Sequence, residues 1–408
     1  MITITLKKKK EESLLRFHPW VFSGAIERMS GQPEEGDMVR VVAHNGDFLA
    51  IGQYQIGSIA VRIFTFRDEP IDDAFLRHRL QVAFDLRRSL GLIRSGEVTS
   101  GICLDIDIAR TENNAYRLVH GEGDHLPGLI IDVYAHTAVM QAHTAGIHFL
   151  RHRIAEALLQ VAGAEIRHVY YKSETTLPYK AQLDDTAGYL IGGEGNTDIA
   201  VENGLRFHVD WLKGQKTGFF VDQRDNRHLV EQYARGRRVL NMCSYTGGFS
   251  FCAMRGGAEV VHSVDCSKQA IQLTNRNVTL NFADDPRHEA ICDDAFHYMD
   301  TAVMDYDLII LDPPAFAKHK KVLRNALIGY RRLNAKALEK IKPGGILFTF
   351  SCSQVVTKDD FRCAVFSAAA QTGRRVRILH QLHQPADHPI DIYHPEGEYL
   401  KGLVLYVE

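Results

Sequence analysis

The sequence predicts an α/β protein: an open, largely parallel sheet in the C-terminal part, preceded by a small β-barrel domain and a small central α/β domain. Three observations lead there. Residues 237–249 read as strand, tight turn and helix, because the apolar run Val239-Leu240 leads to the glycine pair Gly247-Gly248 and a helix-like segment. Further apolar segments follow, and acidic or reactive residues recur at their ends: Asp265, Asp293-Asp294, Asp312 and Cys352. In an open parallel sheet the carboxyl ends of the strands face one crevice, so residues far apart in sequence converge there. Upstream, short alternating segments between turn signals mark residues 1–70 as all-β.

At 408 residues the chain exceeds one ordinary domain, and 45% hydrophobic with 24% charged residues supports substantial cores in two or three domains. Lys and Arg (48) nearly balance Asp and Glu (50), so contact with nucleic acid has to come from local basic patches. The seven cysteines form no C-x-x-C pair, which argues against a zinc site or a disulfide framework; no metal is expected, and a reducing cytoplasm fits. No run of about 18 apolar residues and no apolar leader is read, so neither membrane insertion nor secretion is expected.

In the first 70 residues Ile2, Ile4 and Leu6 alternate with Thr3 and Thr5, Asn45-Gly46 signals a hairpin, and Ile59, Val61 and Ile63 alternate again; a compact barrel follows. Lys7, Lys8, Lys9, Lys10 and Arg16 precede Phe17-His18-Pro19-Trp20-Val21-Phe22, a mixture of cations and aromatic faces suited to single-stranded nucleic acid. On composition alone, a solvated charge run beside a core tryptophan is the simpler account. Phe75, Leu76, Leu80, Ala83, Phe84, Leu86 and Leu90 then fall near a 3.6-residue stripe, predicting a helix over 72–92. Strands at 115–119, 128–132, 138–141 and 168–172, with a helix at 147–161, make up a central domain over 71–185. The turn at 120–128 holds Glu122, Asp124 and two histidines and reads as a polar turn ahead of a metal site. A domain boundary is expected near 185, with a hairpin at Asn203-Gly204 leading into the last domain, 186–408.

The last domain is expected to bind a nucleoside. Gly247-Gly248 lets a ligand approach the backbone at a helix start. Asp265 follows at nearly the spacing of a ribose-binding carboxylate. The turn lacks G-x-G-x-x-G, which demotes a nicotinamide dinucleotide, and the ordered series of strand ends favours S-adenosylmethionine. Gln223 and Arg224, in a donor-rich cluster before the first parallel strand, suit the amino-acid carboxylate of such a cofactor, or else cap a helix.

The segments Phe17-His18-Pro19-Trp20-Val21-Phe22-Ser23, Ala115-Tyr116-Arg117-Leu118-Val119-His120-Gly121-Glu122-Gly123-Asp124, Leu126-Pro127-Gly128-Leu129, Thr217-Gly218-Phe219-Phe220-Val221-Asp222-Gln223-Arg224, Leu311-Asp312-Pro313-Pro314 and Phe350-Ser351-Cys352-Ser353 together resemble the RlmI-type methyltransferases. The resemblance spans essentially the whole chain. It implies an N-terminal PUA domain, a central α/β domain and a C-terminal Rossmann-like class I methyltransferase sheet of seven strands, the last antiparallel. It further implies S-adenosylmethionine-dependent formation of 5-methylcytosine in 23S ribosomal RNA, and a homodimer. The N-terminal basic and aromatic surface then becomes an RNA contact. Ala315 departs from the lysine often found there in the family; Lys318, Lys320 and Lys321 can supply that charge, or sit on a solvated loop.

By motif position, Asp265 takes the ribose hydroxyls, Asp294 the adenine amine with Asp293 competing, and the backbone of Tyr245, Thr246, Gly247 and Gly248 the methionine end. Asn241, Ser267 and Asp312 complete the cofactor set. Cytosine C5 is a poor nucleophile, and adding a thiolate at C6 makes it enamine-like. Cys352 is expected to supply that thiolate, because Cys243, Cys252 and Cys266 lie in or beside the cofactor half. Asp312 is expected to hydrogen-bond ring N3 or the exocyclic amine. Pro314-Ala315-Phe316 holds no second cysteine, which leaves water or a carboxylate to take the C5 proton. Two other readings fit part of the pattern: methylation of a base nitrogen centred on Asp312, which needs no cysteine, and a non-catalytic rRNA-binding assembly factor, which would not need Asp265 or the glycine pair.

Overall fold

Alternation of apolar and polar residues marks the N-terminal strands, although β1, β5 and β6 each bury consecutive residues and so are covered on both faces over part of their length. A computed structural model describes residues 1–93, 113–178, 183–184, 186–193, 199–283, 285–303, 305–317 and 319–408. The chain divides into two units: Met1–Gly204, Val209–Val221 and Ala386–Gly397 form one, and Leu205–His208, Asp222–Pro385 and Glu398–Glu408 form the other. Among the described residues no helix is long and apolar enough to cross a membrane.

The first unit opens with β1 (Ile2–Leu6), α1 (Glu12–Leu15), β2 (Trp20–Phe22), β3 (Ile26–Met29), β4 (Met38–Val42), β5 (Phe48–Tyr54) and β6 (Ile59–Thr65). The strands form one sheet of order β2-β6-β5-β4-β1-β3, with β1 parallel to β4 and the other pairs antiparallel. Ile4, Leu6, Val39, Val41, Val61 and Ile63 fill its core. The Asn45-Gly46 turn joins β4 to β5 with Gly46 at φ +92°, a conformation that glycine adopts without steric cost.

Helix α2 (Asp73–Ser89) starts where Asp72 accepts Phe75 N–H, and it buries Phe75, Leu76, Leu80, Ala83 and Phe84. It leads to β7 (Ala115–His120), β8 (Leu129–Tyr134), β9 (Thr137–Ala142), α3 (Ala145–Ala162), β10 (His168–Tyr171) and β11 (Gly188–Ile191). Their sheet runs β11-β10-β9-β8-β7, with only β9 and β10 parallel. Strand β11 lies beyond the boundary expected near 185 yet pairs with β10, covering an edge that otherwise leaves backbone groups open. The chain continues through β12 (Ile199–Glu202), turns at Asn203 and Gly204, both at positive φ (48° and 78°), and enters β13 (Leu205–His208).

A polar lattice lies beneath α2, where the sequence showed only a helical stripe and a polar turn. Arg87 has no exposed surface; its guanidinium holds Asp124 through both nitrogens (2.5 and 2.8 Å) and donates to the carbonyls of Arg117 (2.7 Å) and Asp387 (2.7 Å). Asp124 also accepts His120 N–H at 2.6 Å, and Arg117 forks onto Asp132 at 2.7 and 2.9 Å. Glu122 is tied to Trp20 Nε1 (2.8 Å) and Arg62. The turn at 120–128 is therefore a buried ion-pair hub, and among the described residues no group of three ligating side chains forms a metal site. Burial and the facing Arg117, His388 and Arg87 hold His120 well below the usual histidine range, so it stays neutral.

The second unit is a three-layer sandwich. After α4 (Arg224–Tyr233) come β14 (Arg238–Met242), α5 (Gly248–Arg255), β15 (Val260–Asp265), α6 (Lys268–Phe282), β16 (His288–Cys292), α7 (Ala295–Thr301) and β17 (Leu308–Leu311). Then follow α8 (Leu323–Lys340), β18 (Gly345–Ser351), α9 (Lys358–Thr372), β19 (Val376–Leu382) and β20 (Lys401–Val407). The sheet order is β16-β15-β14-β17-β18-β20-β19; the first five strands are parallel, and β20 runs antiparallel to both neighbours. Strand β18 is buried along its whole length and shows the continuous apolar run expected of a strand covered on both faces. Phe348 and Phe350 reach Tyr233 of α4 and Phe249 of α5, whereas Leu347 packs with Tyr330 and Phe361 of α8 and α9.

Asp124→Ala leaves the Arg87 charge buried without its carboxylate, and a loss of about 3–5 kcal/mol is expected in chemical denaturation. A loss under about 1 kcal/mol, the range of an exposed pair, would show that water reaches the guanidinium.

Candidate functional site

The strand order dictates where chemistry can occur. From β14 the chain steps to β15 and β16 on one side and to β17 and β18 on the other, and the crevice opens over the carboxyl ends at that reversal. Register brings the end residues level: Met242 pairs with Val264 and with Leu311, Asp265 with Cys292, and Leu311 with Thr349. Cys243, Asp265, Asp312 and, two residues past Phe350, Cys352 accordingly follow one another around the rim.

The turn after β14 is held in an unusual backbone shape. Cys243 and Tyr245 have φ of 56° and 47°, and Gly247 has 85°. Asp265 clamps the turn: Oδ2 accepts Tyr245 N–H at 2.8 Å and Oδ1 accepts Ser267 N–H at 2.9 Å. Thr274 Oγ1 donates to the Tyr245 carbonyl at 3.0 Å. Thr246 is buried, and Ser267 caps α6 by accepting Ala270 N–H. The glycines serve internal packing: a Cβ on Gly247 would stand 2.6 Å from Phe251 Cζ, and one on Gly248 2.9 Å from Arg227 Cδ.

Other candidate residues divide between rim and interior. Gln223 donates to Asp312 Oδ1 at 3.1 Å while its own carbonyl accepts Asn226 Nδ2 at 2.6 Å, so it orients the Asp312 carboxylate. Arg224 is buried at the start of α4. Asp294 caps α7 through Phe296 and His297 N–H, while Asp293 pairs with the His297 ring at 2.9 Å. Asn241 stands apart from the rim. It has no exposed surface and donates to Ser250 Oγ at 2.9 Å, which meets Ser263 Oγ at 2.6 Å in a chain that ties β14 to α5 and β15.

Burial together with the charges of Asp265, Asp312 and Asp294 pushes the Cys243 thiol up to about 12. Cys352 sits in the turn between β18 and α9. Ser351 Oγ donates to Tyr330 Oη at 2.9 Å beneath it, and Ser353 Oγ donates to the Ala317 carbonyl at 2.5 Å, joining this turn to the segment after Asp312-Pro313-Pro314. Sequence reasoning missed two residues here, Tyr330 and Lys401. Burial pushes Tyr330 up to about 12, and Lys401 is buried beside the turn. Nothing in their local sequence marks them, since α8 and β20 bring them in from elsewhere.

Of the basic candidates, Lys7, Lys8, Lys9, Lys10 and Arg16 are exposed around α1, with Lys7 Nζ donating to the Gly24 carbonyl at 2.9 Å. The cation over Trp20 is Arg62, 5.0 Å from the ring centre, rather than a member of that run. Lys320 is exposed in a short turn of the second unit, and Lys318 lies outside the described residues.

A seven-stranded sheet of this order, with carboxylates ringing the switch point, defines a Rossmann-like class I methyltransferase. Residues 117–402 match the model of the S-adenosylmethionine-dependent methyltransferases, and residues 4–66 match a PUA-like domain. The chain is 40% identical to ribosomal RNA large subunit methyltransferase I of Tolumonas auensis, over 99% of this chain and 98% of the relative. Against the proteins of the same name from Aeromonas salmonicida and Escherichia coli (strain SMS-3-5 / SECEC) identity is 40% and 37%, covering 99% and 100% of this chain and 99% of each relative. The chain therefore belongs to the ribosomal RNA large subunit methyltransferase I family of S-adenosylmethionine-dependent methyltransferases. A putative S-adenosylmethionine-dependent methyltransferase from Streptococcus mutans shares the fold over 100% of both chains, with a TM-score of 0.81 at 22% identity. A putative methyltransferase solved with SAH does so at 0.82 and 23%, again over 100% of both.

In the native protein Cys243 should resist iodoacetamide at mildly alkaline pH, because a thiol pushed up to about 12 stays protonated there, while exposed Cys266 and Cys363 are labelled. Peptide mapping by mass spectrometry reads this. Labelling of Cys243 at the rate of Cys363 would contradict the acid-lined environment.

Proposed function

We propose that the protein methylates C5 of a cytosine in large-subunit (23S) ribosomal RNA, using S-adenosylmethionine and a covalent adduct between Cys352 and C6. The observation that carries the reading is the placement of Cys352 and Asp312 at the ends of adjacent strands β18 and β17, on the side of the switch point opposite Asp265.

The residues fit the cofactor. The charges facing Cys243 are those of Asp265, Asp312 and Asp294, and an acid-lined rim suits a sulfonium cation with hydroxyl and amine donors and repels a pyrophosphate. Asp265 would take the ribose hydroxyls with the lone pairs left after binding Tyr245 and Ser267 N–H, and Asp294, or Asp293 beside it, the adenine amine. The Tyr245–Gly248 backbone, with Arg224 below, would hold the methionine end. When bound, S-adenosylmethionine supplies an electrophilic methyl group.

The Cys352 thiolate adds to C6, forming a C–S bond and moving the ring electrons toward C5, which becomes nucleophilic enough to take the methyl group. Asp312, fixed by Gln223, accepts from the exocyclic amine as a carboxylate, or donates to ring N3 once it has taken up a proton, and in that form stabilises the charge that develops there. Loss of the C5 proton to solvent or a carboxylate then re-forms the C5–C6 double bond and expels Cys352 as thiolate.

With 5-fluorocytosine in the target RNA, elimination is blocked, and wild-type enzyme should accumulate a covalent RNA adduct that survives denaturing gels. Cys352→Ala should form none and lose turnover while keeping cofactor and RNA affinity near wild type, because the sulfur acts on the reaction path. Cys363→Ala, on α9, should behave as wild type. Full turnover by Cys352→Ala with no adduct in wild type would move the reading to a base nitrogen held by Asp312.

We assign RNA contact to the exposed run from Lys7 to Lys10 with Arg16 on the PUA-like domain. Replacing these five by Ala or Gln should weaken RNA binding and flatten the slope of log K against log salt by about 0.7 for each single-strand phosphate no longer neutralised. An unchanged slope would make the run a solvated surface.

A further inference from the structure

Lys401 brings a buried charge to the turn that holds Cys352. It is the first residue of β20 and the Cα partner of Ser351, the last residue of β18. Its side chain is packed away, with 5% of the residue exposed, and Nζ donates to the Ser353 carbonyl at 2.5 Å. That carbonyl belongs to the residue immediately after Cys352. One neutral carbonyl does not compensate an ammonium taken out of water, so an anion nearby is needed to hold it.

The charged and titratable groups around the ammonium limit which anion that is. Glu398, two residues before Leu400 and outside β20, faces Lys401 but is already engaged at 2.5 Å by Lys358 of α9. On the far side, Tyr330 of α8, which faces Cys352 and Asp312, is pushed up to about 12 and remains a neutral phenol at physiological pH, and Asp312 is hydrogen-bonded by Gln223. Cys352 is the remaining facing group, and its charge favours the protonated lysine.

We propose that Lys401 is a positioning residue that keeps Cys352 as a thiolate: anchored on the Ser353 carbonyl, its ammonium lies beside the sulfur and makes it reactive near neutral pH. The inference rests on Cys352 being the nucleophile. Burial brings Lys401 down to about 8, so the two groups titrate as a pair: thiolate with ammonium through the neutral range, then loss of the shared proton as pH rises. A cation beside a thiol is the usual means of making it ionise early. Strand β20 supplies this cation from a position that only its antiparallel insertion beside β18 makes available.

The test is the pH dependence of iodoacetamide alkylation at Cys352 in the full chain without RNA, read by peptide mass spectrometry with exposed Cys363 as internal reference. Wild-type Cys352 should show a midpoint well below the ordinary cysteine value of about 8.5. Lys401→Met should raise that midpoint by at least about one unit, cutting the alkylation rate near pH 7 about tenfold, while Lys401→Arg should keep it low. A wild-type midpoint at or above that of Cys363 would overturn the proposal whether or not the variants fold. So would identical midpoints in wild type and a folded Lys401→Met. The 5-fluorocytosine adduct separates the two ideas: an adduct with no lysine-dependent midpoint sinks the ion pair alone, whereas a lysine-dependent midpoint without an adduct supports the ion pair and sinks the covalent chemistry.

Discussion

The Asp265 carboxylate, receiving Tyr245 N–H on one oxygen and Ser267 N–H on the other, is the constraint from which the rest of the site follows. It joins the end of β15 to the turn leaving β14 and to the start of α6. Left-handed backbone at Cys243 and Tyr245 costs roughly 1–3 kcal/mol per residue, and hydrogen bonds to an ionised acceptor are of the size needed to offset it. Thr274 and Asn277 of α6 add donors to the Tyr245 and Thr246 carbonyls. A turn restrained at both its N–H and C=O groups is already in shape before a ligand arrives, so binding need not order it.

That rigidity explains why the glycines sit where they do. From sequence, Gly247-Gly248 read as room for a ligand against the backbone. The structure gives them a packing task as well, with Phe251 beneath one and Arg227 against the other. Gly402 repeats the logic in β20, where a Cβ would stand 2.6 Å from the Phe350 ring. The close approach of β20 to β18 depends on that missing atom, and Lys401 is the residue just before it.

Strands β15 to β18 were legible because each announces itself twice, by an apolar run and by a polar or reactive residue at its end, whereas the largely exposed β19 was not read; β15 ends at Asp265, as its pattern requires. Hairpins with Asn-Gly turns and the stripe of α2 were legible for the same local reason. What escaped depends on partners far away in sequence. Arg87 lies outside the apolar stripe that marks α2 in the sequence, and only the fold shows Asp124, Arg117 and Asp387 around it. Glu122 and Asp124 looked like turn carboxylates until Trp20, Arg62 and Arg87 took them up. Asn241 sat at a strand end with the right neighbours, but strand alternation turns it toward Ser250 and away from the crevice. The competition between Asp293 and Asp294 was open for a related reason: both are polar and adjacent, and only the cap of α7 separates their tasks.

Two cysteines follow parallel strands of this mixed sheet, and different charges face them. Cys243, after β14, is buried among Asp265, Asp312 and Asp294, and each carboxylate disfavours a second negative charge, so its sulfur stays a thiol. Cys352, after β18, faces the buried ammonium of Lys401, which is anchored on the carbonyl of the next residue. The sheet topology produces the difference. Parallel strands β15, β16 and β17 deliver carboxylates at or just past their carboxyl ends, whereas the antiparallel strand β20 presents its amino end at the same rim and brings a lysine there. Separating two like groups by their environment is how one fold keeps one inert and makes the other reactive. In this sheet the antiparallel strand β20 is the element that sets a lysine opposite Ser351, next to Cys352.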